Sequence, residues 1–162
     1  MDTSIDIQKY LPHRTPMLMV DVILKMDDET VETAFAIKED NIFVQNTIFT
    51  EAGLIENSAQ TCSSIVAKDY FFDENNQKKQ DVNIIGFISA IKTLKIYSLP
   101  KVGNTITAIA TLTSKFVTDS YSICTMNCKT FNENQLLLEG EINLFIQENH
   151  NKIAKLQLPN ND

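Results

Sequence analysis

One arginine, two histidines, four glycines and three cysteines are spread over 162 residues, and each scarcity excludes something. Nucleic-acid binding needs clustered Lys and Arg to neutralise phosphates. Arg14 stands alone here and the net charge is −7, so no nucleic-acid partner is expected. The acidic balance also argues against an anionic membrane surface. No apolar run reaches the roughly 20 residues of a membrane-spanning helix. With so little glycine and no Gly-rich loop, there is no cradle for a nucleotide or flavin phosphate. Cys62, Cys124 and Cys128 are odd in number and lack CxxC spacing. They fit neither a disulfide framework nor a zinc site, and no metal or cofactor is expected. The opening Met1-Asp2-Thr3-Ser4 has neither the basic start nor the apolar stretch of a secretion signal, which reads as cytoplasmic.

What is present suits one globular domain over 1–162. The 43% apolar content is enough for a core. Ser4 with Ile7 and Tyr10 predicts a short helix over 4–10, ended by Pro12. Pro16 restricts the residue before it and is expected to hold the His13 loop extended. Strands are expected over 17–26 and 30–38. In the second, Val31, Thr33 and Phe35 share one face. From about 49 to 70, Phe49, Ala52, Ile55, Ala59, Cys62 and Val66 recur at steps of three and four, and small or apolar residues extend around most of the circumference. This predicts one long, nearly fully buried helix, with Thr50 as its cap. A solvated loop over 73–82 follows, then strands over 83–98, 104–116, 120–131 and 135–147, with turns at Gly103-Asn104 and 132–134. Cys124, Met126 and Cys128 alternate on one strand face and read as core packing. From His150 onward the chain is a polar tail. Consecutive strands around one helix make the fold α+β, and the edge strands of such a sheet invite dimerisation.

Two positions carry chemistry. His13 lies in a Pro-bounded loop before an apolar strand. Glu56 lies inside the apolar helix, where an unpartnered carboxylate is costly. Together they are a minimal kit for moving a proton from carbon to oxygen. Each has a plainer reading: His13 bracing its loop on a backbone carbonyl, and Glu56 bonded to Arg14 or to a backbone amide. Asn57 and Gln60 either orient substrate or join a helix-packing network, packing being the simpler reading. Asn46 is an amide and offers no general base. Arg14 with Lys92, Lys95 and Lys101 is the one combination that offers a local basic patch, against the simpler reading of solvated lysines.

The order of elements resembles the hotdog fold, a long antiparallel sheet wrapped around a central helix. Leu-Pro-His-Arg-Thr-Pro-Met-Leu-Met-Val-Asp at 11–21 is similar to the opening motif of the beta-hydroxyacyl-acyl-carrier-protein dehydratases. Leu54-Ile55-Glu56-Asn57-Ser58-Ala59-Gln60 resembles their central-helix motif, whose glutamate is catalytic. Leu99-Pro100-Lys101-Val102-Gly103-Asn104 resembles their proline-and-glycine turn. The likeness spans roughly 8 to 147. It implies a hydro-lyase that removes water from a 3-hydroxyacyl chain on acyl carrier protein, working as a homodimer or as a heterodimer with another hotdog subunit. It further implies Glu56 as a catalytic residue, carried over from the central-helix motif, whereas the family's standard histidine does not carry over and His13 is the candidate to act beside Glu56. Asn57, Gln60, Gly86 and Phe87 are expected as substrate contacts. One departure stands out. Those dehydratases carry their catalytic histidine in a Gly-His-Phe-Pro segment before the helix. Here Asn41-Ile42-Phe43-Val44-Gln45-Asn46-Thr47-Ile48-Phe49 has none, and Thr50-Glu51 replaces the Pro-Gly pair. This pattern is similar to divergent dehydratase-like proteins of aryl-polyene and flexirubin-type pigment synthesis.

In that chemistry His13 is expected as the base and Glu56 as the acid, kept protonated by burial. Backbone N–H groups at the helix start would hold the thioester oxygen. The alternatives are a non-catalytic hotdog subunit that binds acyl chains or pairs with an active dehydratase, and an acyl thioesterase in which Glu56 activates water.

Overall fold

The computed structural model describes residues 5–75, 77–80 and 82–148. Ser4, the expected first cap, and the tail from 149 with His150 lie outside them. The N-terminal helix expected over 4–10 is instead a two-residue strand, β1 (Ile5–Asp6), and a 3-10 turn over Ile7–Lys9 capped by the Asp6 carboxylate. Asp6 and its neighbours pair with the next strand, and that ladder prevents a full helical turn. Next come β2 (Val22–Met26), β3 (Thr30–Ala36), β4 (Val44–Gln45), β5 (Ile48–Phe49) and the helix α1 (Glu51–Phe71). The chain then runs through β6 (Ile84–Ile96), β7 (Thr105–Val117), β8 (Ser122–Asn132) and β9 (Gln135–Glu148).

Seven strands form one antiparallel sheet in the order β1-β2-β3-β7-β8-β9-β6. Its buried face alternates along each strand: Val31, Thr33 and Phe35 on β3, Ile106, Ala108 and Ala110 on β7, Cys124, Met126 and Cys128 on β8, Ile142, Leu144 and Ile146 on β9. All of them turn toward α1, which packs across β3, β7, β8 and β9 as a hotdog helix does. The helix nests closely because its buried stripe is small. Ser58, Ala59, Thr61, Cys62 and Ser64 occupy it, and their hydroxyls find partners. Thr61 Oγ1 meets Thr33 Oγ1 at 2.8 Å, Ser58 Oγ meets Thr130 Oγ1 at 3.2 Å, and Ser64 Oγ donates to Thr61 O at 2.7 Å. A buried hydroxyl without a partner costs about 1–3 kcal/mol, so these pairs allow polar residues in a core position. Thr50 stands at the helix start as expected, but its side chain makes no capping bond. None of the helices is long and apolar enough to cross a membrane among the described residues.

The strand expected over 17–26 begins only at Val22, because Met17 and Met19 are held by helix side chains; Asp21 is the residue that reaches the sheet, its N–H donating to Ala34 O at 3.0 Å. At the other end of the sheet, β6 pairs with β9 alone, so its second edge meets no strand among the described residues. Their register shifts between Ile91 and Thr93, which brings the Thr93 carbonyl over Gly140. A Cβ at Gly140 would lie 2.7 Å from that oxygen and 2.9 Å from Leu94 Cδ1. We expect Gly140→Ala to lower stability by about 1–3 kcal/mol, the usual cost of overpacking. Urea denaturation checks this, and an unchanged midpoint would refute the close approach.

Candidate active site

The His13 loop is built from short-range bonds. Tyr10 and Leu11 N–H donate to Ile7 O, and Met17 and Leu18 N–H donate to Arg14 O. The chain therefore turns after His13 and is not extended as Pro16 suggested; the Thr15–Pro16 peptide is cis. Arg14 fastens this turn. Its Nη1 donates to Leu11 O at 2.8 Å and to His13 O at 2.7 Å. Arg14 thus serves the loop and not Glu56. The basic patch does not assemble either, since Lys92 pairs with Glu141 at 3.0 Å.

Beyond the turn, residues 17–19 lie along α1, and two helix amides grip their backbone. Asn57 Nδ2 donates to Met19 O at 2.8 Å. Gln60 Oε1 accepts from Met19 N at 2.8 Å, and Gln60 Nε2 donates to Met17 O at 2.7 Å. The remaining Nε2 hydrogen of Gln60 goes to Glu56 Oε1 at 2.7 Å. Both amide residues are almost fully buried. Glu56 and Gln60 are one helical turn apart, so this last bond follows from i, i+4 spacing. It places the carboxylate beside the loop, with His13 Nε2 3.9 Å from Glu56 Oε1. The two side chains keep 32% and 27% exposure, so the pair is open to a substrate. Glu56 is therefore not enclosed as its place in an apolar helix suggested.

Of the residues picked from sequence, His13, Glu56 and Gln60 come together, and Asn57 supports them from beneath. Gly86 and Phe87 do not join them. Phe87 faces Phe145 across the β6–β9 ladder, between Leu144 and Ile146, whose side chains point toward the helix. It therefore lies on the opposite face of the sheet from Glu56, 52% exposed and stacked on Phe145 with ring centroids 5.0 Å apart. Gly86 lies on the edge strand facing Ile146 and makes no contact with the pair among the described residues. Residues Met17 and Met19 were missed as site-builders because they act through backbone groups, which carry no residue-type signal.

The segment before the helix is a hairpin that sequence periodicity did not mark. Val44–Gln45 and Ile48–Phe49 pair across Asn46 and Thr47, whose φ values are 50° and 66°. This is a two-residue turn of the type that matches strand twist. It is tied to the Pro100 turn by Phe49 N–H to Pro100 O and Val102 N–H to Thr47 O, both 2.9 Å. It also sits tightly on the helix start, where a Cβ at Gly53 would meet the Phe49 ring at 2.6 Å. Asn46 is exposed at the tip. Among the described residues no hydrogen bond joins it to His13 or Glu56.

Other chemistries lack a centre. Among the described residues no three His, Cys, Asp or Glu side chains stand close enough to hold a metal ion. The cysteines are buried thiols. The hydrogen bond with Cys128, together with burial, holds Cys62 well above the usual thiol range, and burial pushes Cys124 up to about 11. Neither offers a thiolate near neutral pH.

The ApeP-like family, described as ApeP dehydratase, matches residues 5–155. The chain belongs to that family. A 3-hydroxyacyl-[acyl-carrier-protein] dehydratase, FabZ, of Rhizobium johnstonii is 40% identical over 72 residues, which are 40% of this chain and 45% of that protein. The aligned stretch is thus under half the length of that relative. A structure of the dehydratase heterocomplex ApeI:P from Xenorhabdus doucetiae superposes with a TM-score of 0.72 at 14% identity, over 90% of this chain and 93% of that one. An uncharacterised Pyrococcus horikoshii protein, PH1136, does so with a TM-score of 0.63 at 13% identity, over 90% and 97%. At these identities the likeness is one of fold.

Gln60 is the residue most exposed to test. Gln60→Leu removes three bonds to Met17, Met19 and Glu56 at once and leaves buried backbone groups unpaired. We expect a loss of about 2–4 kcal/mol in stability. Gln60→Glu keeps the shape but sets two carboxylates one turn apart, and should destabilise more at pH 8 than at pH 5. Thermal melts at the two pH values check this, and equal losses at both would rule out the bond to Glu56.

Proposed function

We propose that this chain is a 3-hydroxyacyl thioester dehydratase, acting on acyl chains carried by acyl carrier protein in the cytoplasm. One observation carries the reading: a tightened loop and a clamped helix turn bring His13 and Glu56 to 3.9 Å of each other, open to solvent. Dehydration needs one group that takes the proton beside the thioester carbonyl, a proton for the departing oxygen, and a donor for charge building on the carbonyl. A carboxylate and an imidazole at this distance reach adjacent carbons of one substrate. The open N–H groups of the first turn of α1 are candidate donors as well. Membership of the ApeP-like family supports this reading.

The same reading places the chain in a dimer with another hotdog subunit, joined through β6. A 13-residue edge strand with one side unpaired among the described residues, and with Ile85, Phe87 and Ile91 exposed along it, is a surface that folded proteins cover. That a structurally similar protein is a heterocomplex supports a non-identical partner.

A second reading rests on the hairpin at 44–49. It stands where related dehydratases carry a histidine, and its exposed tip offers only Asn46 and Thr47. On that reading the chain is a non-catalytic partner of an active subunit.

Incubation with a 3-hydroxyacyl or 2-enoyl chain on acyl carrier protein, followed by mass, separates the readings. Water loss or addition should fall about 10²–10⁴-fold in His13→Ala and in Glu56→Gln. No turnover by folded wild-type protein, alone or with its partner subunit, would reject the catalytic role. Release of free acid from an acyl chain without a 3-hydroxyl group would point to a thioesterase. For the dimer, Phe87→Lys with Ile91→Lys should halve the mass seen by light scattering. An unchanged mass would exclude β6 as the joint.

A further inference from the structure

His13 Nδ1 is buried and has no hydrogen-bond partner among the described residues, whereas Nε2 looks toward a carboxylate. A neutral imidazole carries one proton, and the bond made by one nitrogen decides which of the two holds it. A histidine that works as a base through Nε2 needs its proton on Nδ1, usually given to a carbonyl or carboxylate. No such acceptor meets His13 Nδ1. A proton there would be buried and unused, while a lone pair on Nε2 would face the negative Glu56. The opposite arrangement puts the N–H toward the carboxylate. The other charged neighbour does not disturb this, because the Arg14 guanidinium is spent on the carbonyls of Leu11 and His13.

Glu56 shows the matching arrangement. Gln60 has both amide hydrogens and its oxygen engaged, so it cannot turn over without setting its oxygen against Met17 O and Glu56 Oε1. It is therefore fixed as a donor to Oε1. Glu56 then has an oriented carboxylate, with Oε2 free of any bond among the described residues.

We infer that in this chain Glu56 carries the proton through both halves of the dehydration, and that His13 acts as an Nε2–H donor rather than as the base. This rests on the dehydratase reading of the same site. The step balances without a second proton carrier. Glu56 takes the proton from C2 of the 3-hydroxyacyl thioester. The C2–H electron pair becomes the C2=C3 double bond as the C3–O bond breaks. Glu56 returns that proton to the departing oxygen, water leaves, and the carboxylate is restored. His13 Nε2–H meanwhile holds the thioester oxygen as negative charge builds on it, and its own proton count does not change. The missing Gly-His-Phe-Pro histidine then ceases to be a gap, since no imidazole base is required.

Two measurements test this. Nitrogen NMR of the imidazoles, at a pH where the ring is neutral and with His13→Ala to assign the signals, should show the His13 proton on Nε2. A proton on Nδ1 overturns the inference. In the turnover assay, His13→Ala should lose about 10²–10³-fold, the usual effect of removing one donor to a developing oxyanion. His13→Gln, whose amide reaches about as far as Nε2, should return activity to within about tenfold of wild type. The shorter His13→Asn should not. If His13→Gln is as inactive as His13→Ala, the base assignment returns to His13 and the inference fails. Inactive wild-type protein would instead reject the dehydratase reading itself, and the roles of both residues with it.

Discussion

The arrangement depends on a single amide. Among the described residues, Gln60 is the side chain that hydrogen-bonds both the segment leaving the His13 loop and the carboxylate of Glu56. Its three bonds are 2.7–2.8 Å long, and the one to Met19 N–H is buried, where a hydrogen bond is stronger and its loss more costly. Residues 17–19 would otherwise have no ladder, since they precede the first residue of β2. The helix supplies that ladder from its own side chains, with Asn57 adding a fourth bond one turn earlier. The 3.9 Å separation of His13 and Glu56 is thus set by a scaffold beneath them, not by their attraction to each other. At that length, with both side chains partly exposed, their direct contact adds little.

Around this point the sheet does what a hotdog sheet does: it presents one apolar face to a helix lined with small residues. The hydroxyl pairs Thr33–Thr61 and Ser58–Thr130 let that contact be close without orphaned groups. The start of the helix is shaped by different means. There the β4–β5 hairpin presses Phe49 against Gly53 and is tied to the Pro100 turn. The stretch before the helix is thereby closed by two-residue strands across a two-residue turn.

Much of this was legible in the sequence. The alternation of Val31, Thr33 and Phe35 and of Cys124, Met126 and Cys128 marked buried strand faces, and both face the core. The long helix lies where its apolar recurrence put it, within one or two residues at each end. Glu56 and His13 could be singled out because a carboxylate in an apolar helix and a rare histidine between prolines are unusual. What periodicity missed was set by contacts distant in sequence. Strands of two residues are too short to show a period, so the 44–49 hairpin and β1 were unmarked. The loop after His13 turns because backbone bonds to Arg14 outweigh the local preference before Pro16. Phe87 misled because an aromatic on an edge strand looks the same from either face, and only the β6–β9 register with its two shifts decides which face it takes.

That Gln60 and Asn57 grip residues 17 and 19 by their peptide groups has a consequence for how such a site can diverge. Main-chain recognition is blind to side-chain identity. Met17, whose side chain points outward, is free to drift in size and polarity while its carbonyl stays in place. The outer surface of this segment can therefore change by single replacements without moving His13 relative to Glu56. Replacements can accumulate there while two buried amides keep the loop and the helix aligned.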